Sequence, residues 1–339
     1  MASFLLIFIA ALLLAGAATP VAQRLAPLLG IMDAPSARKI HGQPMPRLGG
    51  AAIYVATIAA LLILGGQQEV TQFIGILIGA TVVSFCGLWD DRRSLSPLLK
   101  LVVQTAAALI LYATGISVGV LPHPLLNLGA TLLWVVGITN AFNLLDNMDG
   151  LSGGVSAVAA LFFLVLAITS KQVLVGSLSA ALLGACVGFL LYNFNPATIF
   201  MGDSGSLFIG FMLAALGIKL RFPDHPSAIT WMIPIVVLGV PIFDTSLVTI
   251  SRLLRKKNPL TTPGKDHLSH RLVARGFSHR EAVLIIYLIC GMLGVAGMLL
   301  AQASVEEGIV IGTAVFATGL IALAALEIAY TKIVPITGK

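Results

Sequence analysis

The sequence predicts an all-α membrane protein that crosses the bilayer about eleven times. Its 339 residues are 58% hydrophobic and 10% charged, a composition that excludes an ordinary soluble globule. Apolar runs of roughly 17 to 22 residues recur along the chain, close to the ~20 that a helix needs to cross the hydrocarbon core. We therefore expect one integral-membrane domain over residues 1–339, with helices near residues 3–19, 50–66, 71–89, 97–115, 124–142, 151–170, 173–192, 205–220, 230–250, 282–302 and 308–329.

The basic residues predict the orientation of these helices. With the N-terminus outside and the C-terminus cytoplasmic, all but three of the 20 Lys and Arg residues lie on the cytoplasmic side, in agreement with the positive-inside rule. The predicted cytoplasmic loops cover about residues 20–49, 90–96, 143–150, 193–204 and 251–281. The net charge of +6 follows from this topology and gives no support for nucleic-acid binding.

The first cytoplasmic loop combines prolines with basic side chains. Its prolines disfavour helix and predict an extended segment. Arg47 is a candidate for binding phosphate, and so are Arg38, Lys39 and His41. For Arg38 and Lys39, a simple positive flank to the membrane explains the residues equally well.

Two adjacent acids, Asp90 and Asp91, follow the third helix. Ser96 and Pro97 suit the N-cap and first position of the next helix, which limits the connection to about residues 90–95. An ion pair with the neighbouring arginines is one interpretation. A site that uses paired acids is the other, and we favour it because a purely topological loop has no need of them.

Polar residues recur every three positions at the end of the fifth helix, at Asn140, Asn143, Asp146 and Asp149. Residues three apart are neighbours on a helix, so these four would form one polar stripe. Carboxylates beside lipid are costly unless a cation or a polar ligand accompanies them.

A second polar segment, residues 192–206, follows the seventh helix and contains Asn193, Phe200 and Asp203. Its glycines and serines predict a turn whose backbone N–H groups face an anion. Since Asp203 lies in the same turn, a site for a metal and a phosphate is the favoured interpretation.

The ninth run contains Pro234, Gly239 and Pro241, so we expect a kinked or broken helix. Asp244 within it is interpreted as structural, pairing with Arg252 or with freed backbone groups.

The last cytoplasmic segment contains His267, His270 and Arg271, which a short interfacial helix would bring together. Zinc is disfavoured because no suitable third ligand lies near in the sequence. Ser278 and Glu281 predict a capping box that starts the tenth helix.

All these polar segments fall on the predicted cytoplasmic side, although the orientation was derived from Lys and Arg alone. Carboxylates for a divalent cation, amides, basic residues and an adjacent bilayer together suggest phosphoryl transfer between a nucleotide-linked substrate and a lipid.

The motifs together resemble those of the polyprenyl-phosphate N-acetylhexosamine-1-phosphate transferase superfamily, which includes WecA/TagO-type enzymes and MraY. The resemblance runs from about Asp33 to Arg271 and rests on the Asp-Asp pair, Asn-Leu-Leu-Asp-Asn-Met-Asp-Gly, Phe-Met-Gly-Asp-Ser-Gly-Ser and the histidine loop. Pro-Arg-Leu-Gly-Gly at residues 46–50 is similar to the WecA/TagO branch, since MraY usually has Pro-Thr-Met-Gly-Gly. Ser269 departs from that branch's His-x-His-His pattern.

The resemblance implies transfer of N-acetylhexosamine 1-phosphate, GlcNAc 1-phosphate in the favoured case, from a UDP-sugar to undecaprenyl phosphate with release of UMP. It implies a bacterial inner (plasma) membrane enzyme with a cytoplasmic active site and a Mg²⁺ cofactor, for which Mn²⁺ could substitute. A homodimer is expected only from the resemblance.

The resemblance also implies roles for individual residues. Asp149 and Asp203 would hold the metal, and Asp90, supported by Asp91, would orient or deprotonate the lipid phosphate. Asp146, Asn193 and Phe200 would contact the nucleotide, while the sugar and diphosphate would be contacted by His267, His270 and Arg271. Asn143 and Arg47 are further candidates for binding substrate.

Four alternatives remain at the level of sequence. A two-step reaction through an aspartyl-phosphate intermediate is as compatible with the residues as direct transfer. An MraY-like enzyme would use UDP-MurNAc-pentapeptide as its donor. An ion-coupled transporter would place acids near the middle of the bilayer and show a repeat between its halves, and no repeat is evident. An inactive scaffold of the same fold is disfavoured because the acidic motifs are retained.

Overall fold

The computed structural model describes residues 2–33, 44–65, 69–222, 225–259, 262 and 264–332. The chain forms two compact units, Met1–Arg221 and Phe222–Lys339.

Among its described residues, the first unit contains eight helices and one pair of short strands. The two-residue strands β1 (Met32–Asp33) and β2 (Met45–Pro46) pair antiparallel, with Met32 opposite Pro46. The helices are α1 Ala2–Leu29, α2 Gly49–Leu64, α3 Val70–Arg92, α4 Pro97–Ala113, α5 Pro124–Leu145, α6 Leu151–Thr169, α7 Val173–Asn193 and α8 Gly202–Lys219.

Helix α8 forms the centre of the first unit. Every residue from Gly202 to Ile218 is buried, and α2, α3 and α5 pack against it. Gly50 of α2 and Gly205 of α8 approach so closely that a Cβ on Gly50 would lie 2.0 Å from the Gly205 nitrogen. The start of α8, which carries Asp203, is therefore held by backbone-to-backbone packing.

The second unit contains the remaining helices, which are α9 Ser227–Thr230, α10 Met232–Val237, α11 Gly239–Leu254, α12 Leu268–Val273, α13 His279–Leu300 and α14 Val305–Thr331. The predicted break in the ninth run is confirmed, because the run forms α9, α10 and α11 in succession. Pro234 and Pro241 each occupy the first turn of their helix, where a missing N–H costs little.

The all-α polytopic class is confirmed, since each predicted apolar run coincides with a helix or a group of helices. Within the described residues, seven helices are long and apolar enough to cross a membrane, and α2 and α4 are shorter apolar helices. The total of eleven crossings and the orientation of the termini stay predictions.

Local capping signals were predicted correctly. Ser96 accepts a hydrogen bond from the backbone N–H of Leu99, with Pro97 in the first helical position. Ser278 and Glu281 form the predicted capping box of α13. The short helix expected near the histidines is α12.

Two local predictions need correction. Helix α5 ends at Leu145, so Asp146 is its C-cap residue and Asp149 lies in the following turn, and the four polar residues do not form one helical stripe. Helix α3 continues to Arg92, which places Asp90 and Asp91 in its last turn rather than in the connection.

Candidate active site

Asp91 caps the N-terminus of α8. Its two carboxylate oxygens accept the backbone N–H groups of Asp203 at 2.8 Å and Ser204 at 3.0 Å, and the Arg47 Nε lies 3.2 Å away. Gly202 has φ +73°, and a Cβ there would lie 2.6 Å from an Asp91 oxygen, so the turn requires glycine. A buried carboxylate thus stabilises the positive end of the central helix.

This arrangement corrects the predicted anion site at residues 200–206. The N–H groups of Asp203 and Ser204 do face an anion, but that anion is the carboxylate of Asp91. The sequence could not show this, because Asp91 precedes Asp203 by more than a hundred residues.

Asp203 lies between two basic side chains. Arg47 Nη2 donates to one carboxylate oxygen at 2.8 Å, and Lys100 Nζ donates to the other at 2.9 Å. Lys100 also donates to Asp90 at 3.1 Å, while the second Asp90 oxygen accepts the Leu95 N–H at 2.7 Å. Lys100 therefore bridges two of the predicted functional acids.

Asn143 is fixed against the first turn of α8. Its amide donates to the Ser206 hydroxyl at 2.9 Å, and that hydroxyl donates to the Gly202 carbonyl at 3.2 Å. One turn earlier on α5, the Asn140 side-chain amide donates to Oε1 of the Gln104 side chain at 2.5 Å. These contacts fix α5 relative to both α4 and α8.

Asp146 is half-buried, and no described residue donates a hydrogen bond to its carboxylate. Burial raises its pKa to about 7, and the negative charges of Asp203, Asp91 and Asp149 act in the same direction, against Arg47. A carboxyl group in this setting favours a proton or a cation beside it.

Asp149 is held by the loop that follows α7. One of its oxygens accepts both the Asn195 side-chain amide and the Ala197 N–H, each at 3.0 Å. The described residues include no group of three or more His, Cys, Asp or Glu side chains arranged to hold a metal by themselves. Any divalent cation here would need further oxygen ligands, such as substrate phosphates.

Asn193 has a positioning role that was not predicted. Its amide accepts the Gly150 N–H at 3.0 Å and donates to the Ile199 carbonyl at 2.9 Å, and the residue is buried. Both ends of the predicted nucleotide-binding amide are engaged within the protein. Phe200 is half-buried, and its backbone N–H and carbonyl bind Pro46 and Gly49.

The predicted histidines lie in the second unit, where Asp244 orients one of them. The Asp244 carboxylate lies 2.8 Å from His267 Nδ1 and accepts the Leu268 N–H at 2.7 Å, so it caps α12. The rings of His267 and His270 are 5.9 Å apart. Burial, with smaller effects from His267 and Lys265, lowers the pKa of His270 to about 4, so that His270 is neutral at neutral pH.

The predicted ion pair between Asp244 and Arg252 needs correction. Arg252 pairs with Asp266, with bonds of 2.8 and 2.9 Å, and not with Asp244. Arg271 is 1% exposed and donates to the carbonyls of Asp266 and Leu326 and to the Glu327 carboxylate. Its guanidinium joins α12 to α14, and its buried Nη2 has no hydrogen-bond partner among the described residues. The contact of Arg271 with a substrate stays a prediction.

Comparison with known proteins identifies the family. The family model described as glycosyl transferase family 4 matches residues 73–221. The chain is 40% identical over 307 residues to a probable undecaprenyl-phosphate N-acetylglucosaminyl 1-phosphate transferase of Bacillus subtilis, a match that covers 88% of this chain and 85% of the relative. The chain belongs to the polyprenyl-phosphate N-acetylhexosamine-1-phosphate transferase superfamily.

Both branches of this superfamily are represented among the relatives. A decaprenyl-phosphate N-acetylglucosaminephosphotransferase of Mycolicibacterium smegmatis is 33% identical, over 85% of this chain and 81% of that protein. A phospho-N-acetylmuramoyl-pentapeptide-transferase of Desulforudis audaxviator is 30% identical, over 78% of this chain and 88% of that protein. The recognition made from the motifs is confirmed.

For a member of this superfamily, the structure brings together most of the predicted residues of the first unit: Arg47, Asp90, Asp91, Asn143, Asp146, Asp149 and Asp203. Sequence reasoning missed Lys100, which it counted only as a basic flank. The available signal was a lysine in the first turn of an apolar helix. It lies ten residues after Asp90. Arg38, Lys39 and His41 lie outside the described residues.

Proposed function

We propose that this protein transfers GlcNAc 1-phosphate from UDP-GlcNAc to undecaprenyl phosphate, producing undecaprenyl diphosphate-GlcNAc and UMP. The observation that carries the proposal is Asp203, held between Arg47 and Lys100 at the capped start of a buried helix. The relative from Bacillus subtilis, whose name states this lipid and this sugar, supports the same substrates.

In the proposed reaction, an oxygen of the lipid phosphate attacks the β-phosphorus of the donor. The bond from that phosphorus to the bridging oxygen breaks, and UMP leaves with the bonding electron pair. Asp90 would orient the lipid phosphate, and Lys100, which binds Asp90, would offer its positive charge to the phosphates. Because a phosphate is largely ionised at neutral pH, positioning contributes more than base strength.

The acidic cluster, defined as Asp90, Asp91, Asp146, Asp149 and Asp203, suits a divalent cation. Among the described residues, the basic side chains that form ion pairs with this cluster are Arg47 and Lys100. Five carboxyl groups thus face two positive charges, and negative charge is in excess. We propose that Asp149 and Asp203 hold Mg²⁺, or Mn²⁺ in its place. The carboxylate of Asp146, which accepts no hydrogen bond from a described residue, is subject to the negative charges of Asp149 and Asp203. When bound, the cation would neutralise charge that develops on the departing UMP.

The remaining roles follow from the family resemblance. Asp146 would contact the nucleotide, Phe200 would pack on its base, and Asn143 is a further candidate for binding substrate. His267, fixed by Asp244, and the neutral His270 would contact the sugar phosphate. We place the active site on the cytoplasmic face of a bacterial inner membrane, with eleven crossings, and expect a homodimer.

An MraY-like activity is the second candidate, because an enzyme of that name is 30% identical to this chain. The Pro-Arg-Leu-Gly-Gly segment and the higher identity of the GlcNAc-type relative favour the first.

The test is UMP release by purified protein with undecaprenyl phosphate and Mg²⁺. UDP-GlcNAc and UDP-MurNAc-pentapeptide are supplied in parallel, each with and without EDTA. We expect EDTA-sensitive release from UDP-GlcNAc alone. Release only from the pentapeptide donor would assign the protein to the MraY branch.

A further inference from the structure

Helix α14 carries a buried glutamate near its C-terminal end, whereas its other two glutamates lie exposed in the first turn. Of its residues from Val305 to Thr331, only Gly308 and Glu327 are buried. A carboxylate within a membrane-type helix is costly unless it is paired, so its presence calls for a specific partner.

Glu327 is bound by two arginines. Arg271 Nη1 donates to one of its oxygens at 3.0 Å, and Arg255 donates to the other. The guanidinium groups of Arg271 and Arg255 also lie 4.2 and 4.8 Å from the centre of the Tyr330 ring, one turn further along α14. The buried carboxylate of Glu327 and the ring of Tyr330 therefore both bind the guanidinium of Arg271.

Arg271 transmits this contact to the predicted histidines. It belongs to α12, which has only six residues, and its Nε donates to the carbonyl of Asp266, directly before His267. A helix this short has little stability of its own, so tertiary contacts fix its position. The Arg271 side chain therefore connects Glu327 to the carbonyl directly before His267. The backbone N–H of Arg271 donates to the carbonyl of His267 itself, within the short helix that also carries His270.

We propose that Glu327 is a positioning residue that sets the placement of His267 and His270 through Arg271. The proposal rests on the proposed function only for its effect on the sugar donor. If the contact between Glu327 and Arg271 served stability alone, apolar side chains of similar volume would do as well. A buried ion pair adds little to the free energy of unfolding compared with well-packed apolar side chains. Charged bonds, in contrast, fix both the distance and the direction of the guanidinium.

The test replaces Glu327 with Gln, which keeps the shape and removes the charge. The matched control is Glu306→Gln, an exposed glutamate in the first turn of the same helix. The first readout is the rate at which diethyl pyrocarbonate modifies His267 and His270 in full-length protein, measured by peptide mass spectrometry. The second is KM for the donor and, separately, for the lipid acceptor.

We expect modification of His267 and His270 to change several-fold in Glu327→Gln but not in the control. Donor KM should rise between about tenfold and a hundredfold, since small misplacements of binding groups have effects of this size. Acceptor KM should stay within about twofold. Unchanged modification rates and unchanged donor KM in folded Glu327→Gln would overturn the proposal, even if its melting temperature fell.

If Glu327→Gln does not fold, the same histidine modification and KM measurements are made on Tyr330→Leu, with Tyr330→Phe as the control. The leucine removes the ring beneath Arg271 and leaves the carboxylate in place. A smaller change in the same readouts supports the proposal, and no change overturns it. Histidine modification needs no turnover, so an inactive wild-type protein would refute the proposed function and leave this test standing.

Discussion

Replacing Asp91 with asparagine should destabilise the protein, because Asp91 holds the start of α8 in place. The asparagine side chain has nearly the same shape but only one acceptor oxygen. One of the two N–H groups at the start of α8 would then face an amide NH₂, and Arg47 would lose a charged partner.

The size of the effect follows from these contacts. Hydrogen bonds to charged groups contribute about 1.5–3 kcal/mol each, and a charge at a helix terminus adds up to about 2 kcal/mol. Burial of the ionised carboxylate is itself costly and offsets part of these contacts, so we expect Asp91→Asn to lower the free energy of unfolding by about 1–3 kcal/mol. For a unit of this size, that corresponds to a fall in melting temperature of roughly 5 °C.

The assay is thermal unfolding of purified protein in detergent, with Asp90→Asn as the matched control. Asp90 is the adjacent acid in the same helical turn, but it binds Lys100 and the Leu95 N–H instead of the start of α8. Its replacement should lower activity with a much smaller loss of stability. Equal melting temperatures for Asp91→Asn and the wild type would refute the capping argument.

Three further predictions concern the first unit. Asp203→Asn should abolish Mg²⁺-dependent UMP release in folded protein, and near-normal activity would remove Asp203 from the metal site. Lys100→Met should lower kcat by about 10²- to 10³-fold, as expected for losing one charge-stabilising donor, while Lys171→Met at an exposed turn leaves kcat unchanged. The raised pKa of Asp146 means that its ionisation disfavours the folded state as pH rises from about 4 through about 7. Without substrate or metal, Asp146→Asn should therefore melt at a higher temperature than the wild type at pH 8, with a clearly smaller difference at pH 5; equal melting at pH 8 would contradict this.

The features predicted correctly from the sequence depend on neighbours along the chain. Ser96 with Pro97, and Ser278 with Glu281, are local signals that define helix starts without reference to the rest of the fold. The apolar runs were equally direct, because the length needed to cross a bilayer is a property of the segment itself.

The features missed depend on tertiary packing. Asp90 and Asp91 look equivalent in the sequence, and only the approach of α3 to the start of α8 separates their roles. The pairing of Arg271 with Glu327 was missed because Glu327 lies 56 residues later in the chain. The amide of Asn193 is engaged by a turn 43 residues earlier, for the same reason.

The most direct test of the central claim follows the β-phosphorus of the donor. Protein in undecaprenyl phosphate-containing vesicles is given Mg²⁺ and UDP-GlcNAc with radioactive phosphorus at the β position, and the lipid is then extracted. We expect the label to enter the lipid fraction together with GlcNAc, in step with UMP release, and to stay in the aqueous phase with Asp203→Asn. Transfer of GlcNAc to lipid with the label left in UDP would contradict the account, because the protein would then transfer the sugar without its phosphate.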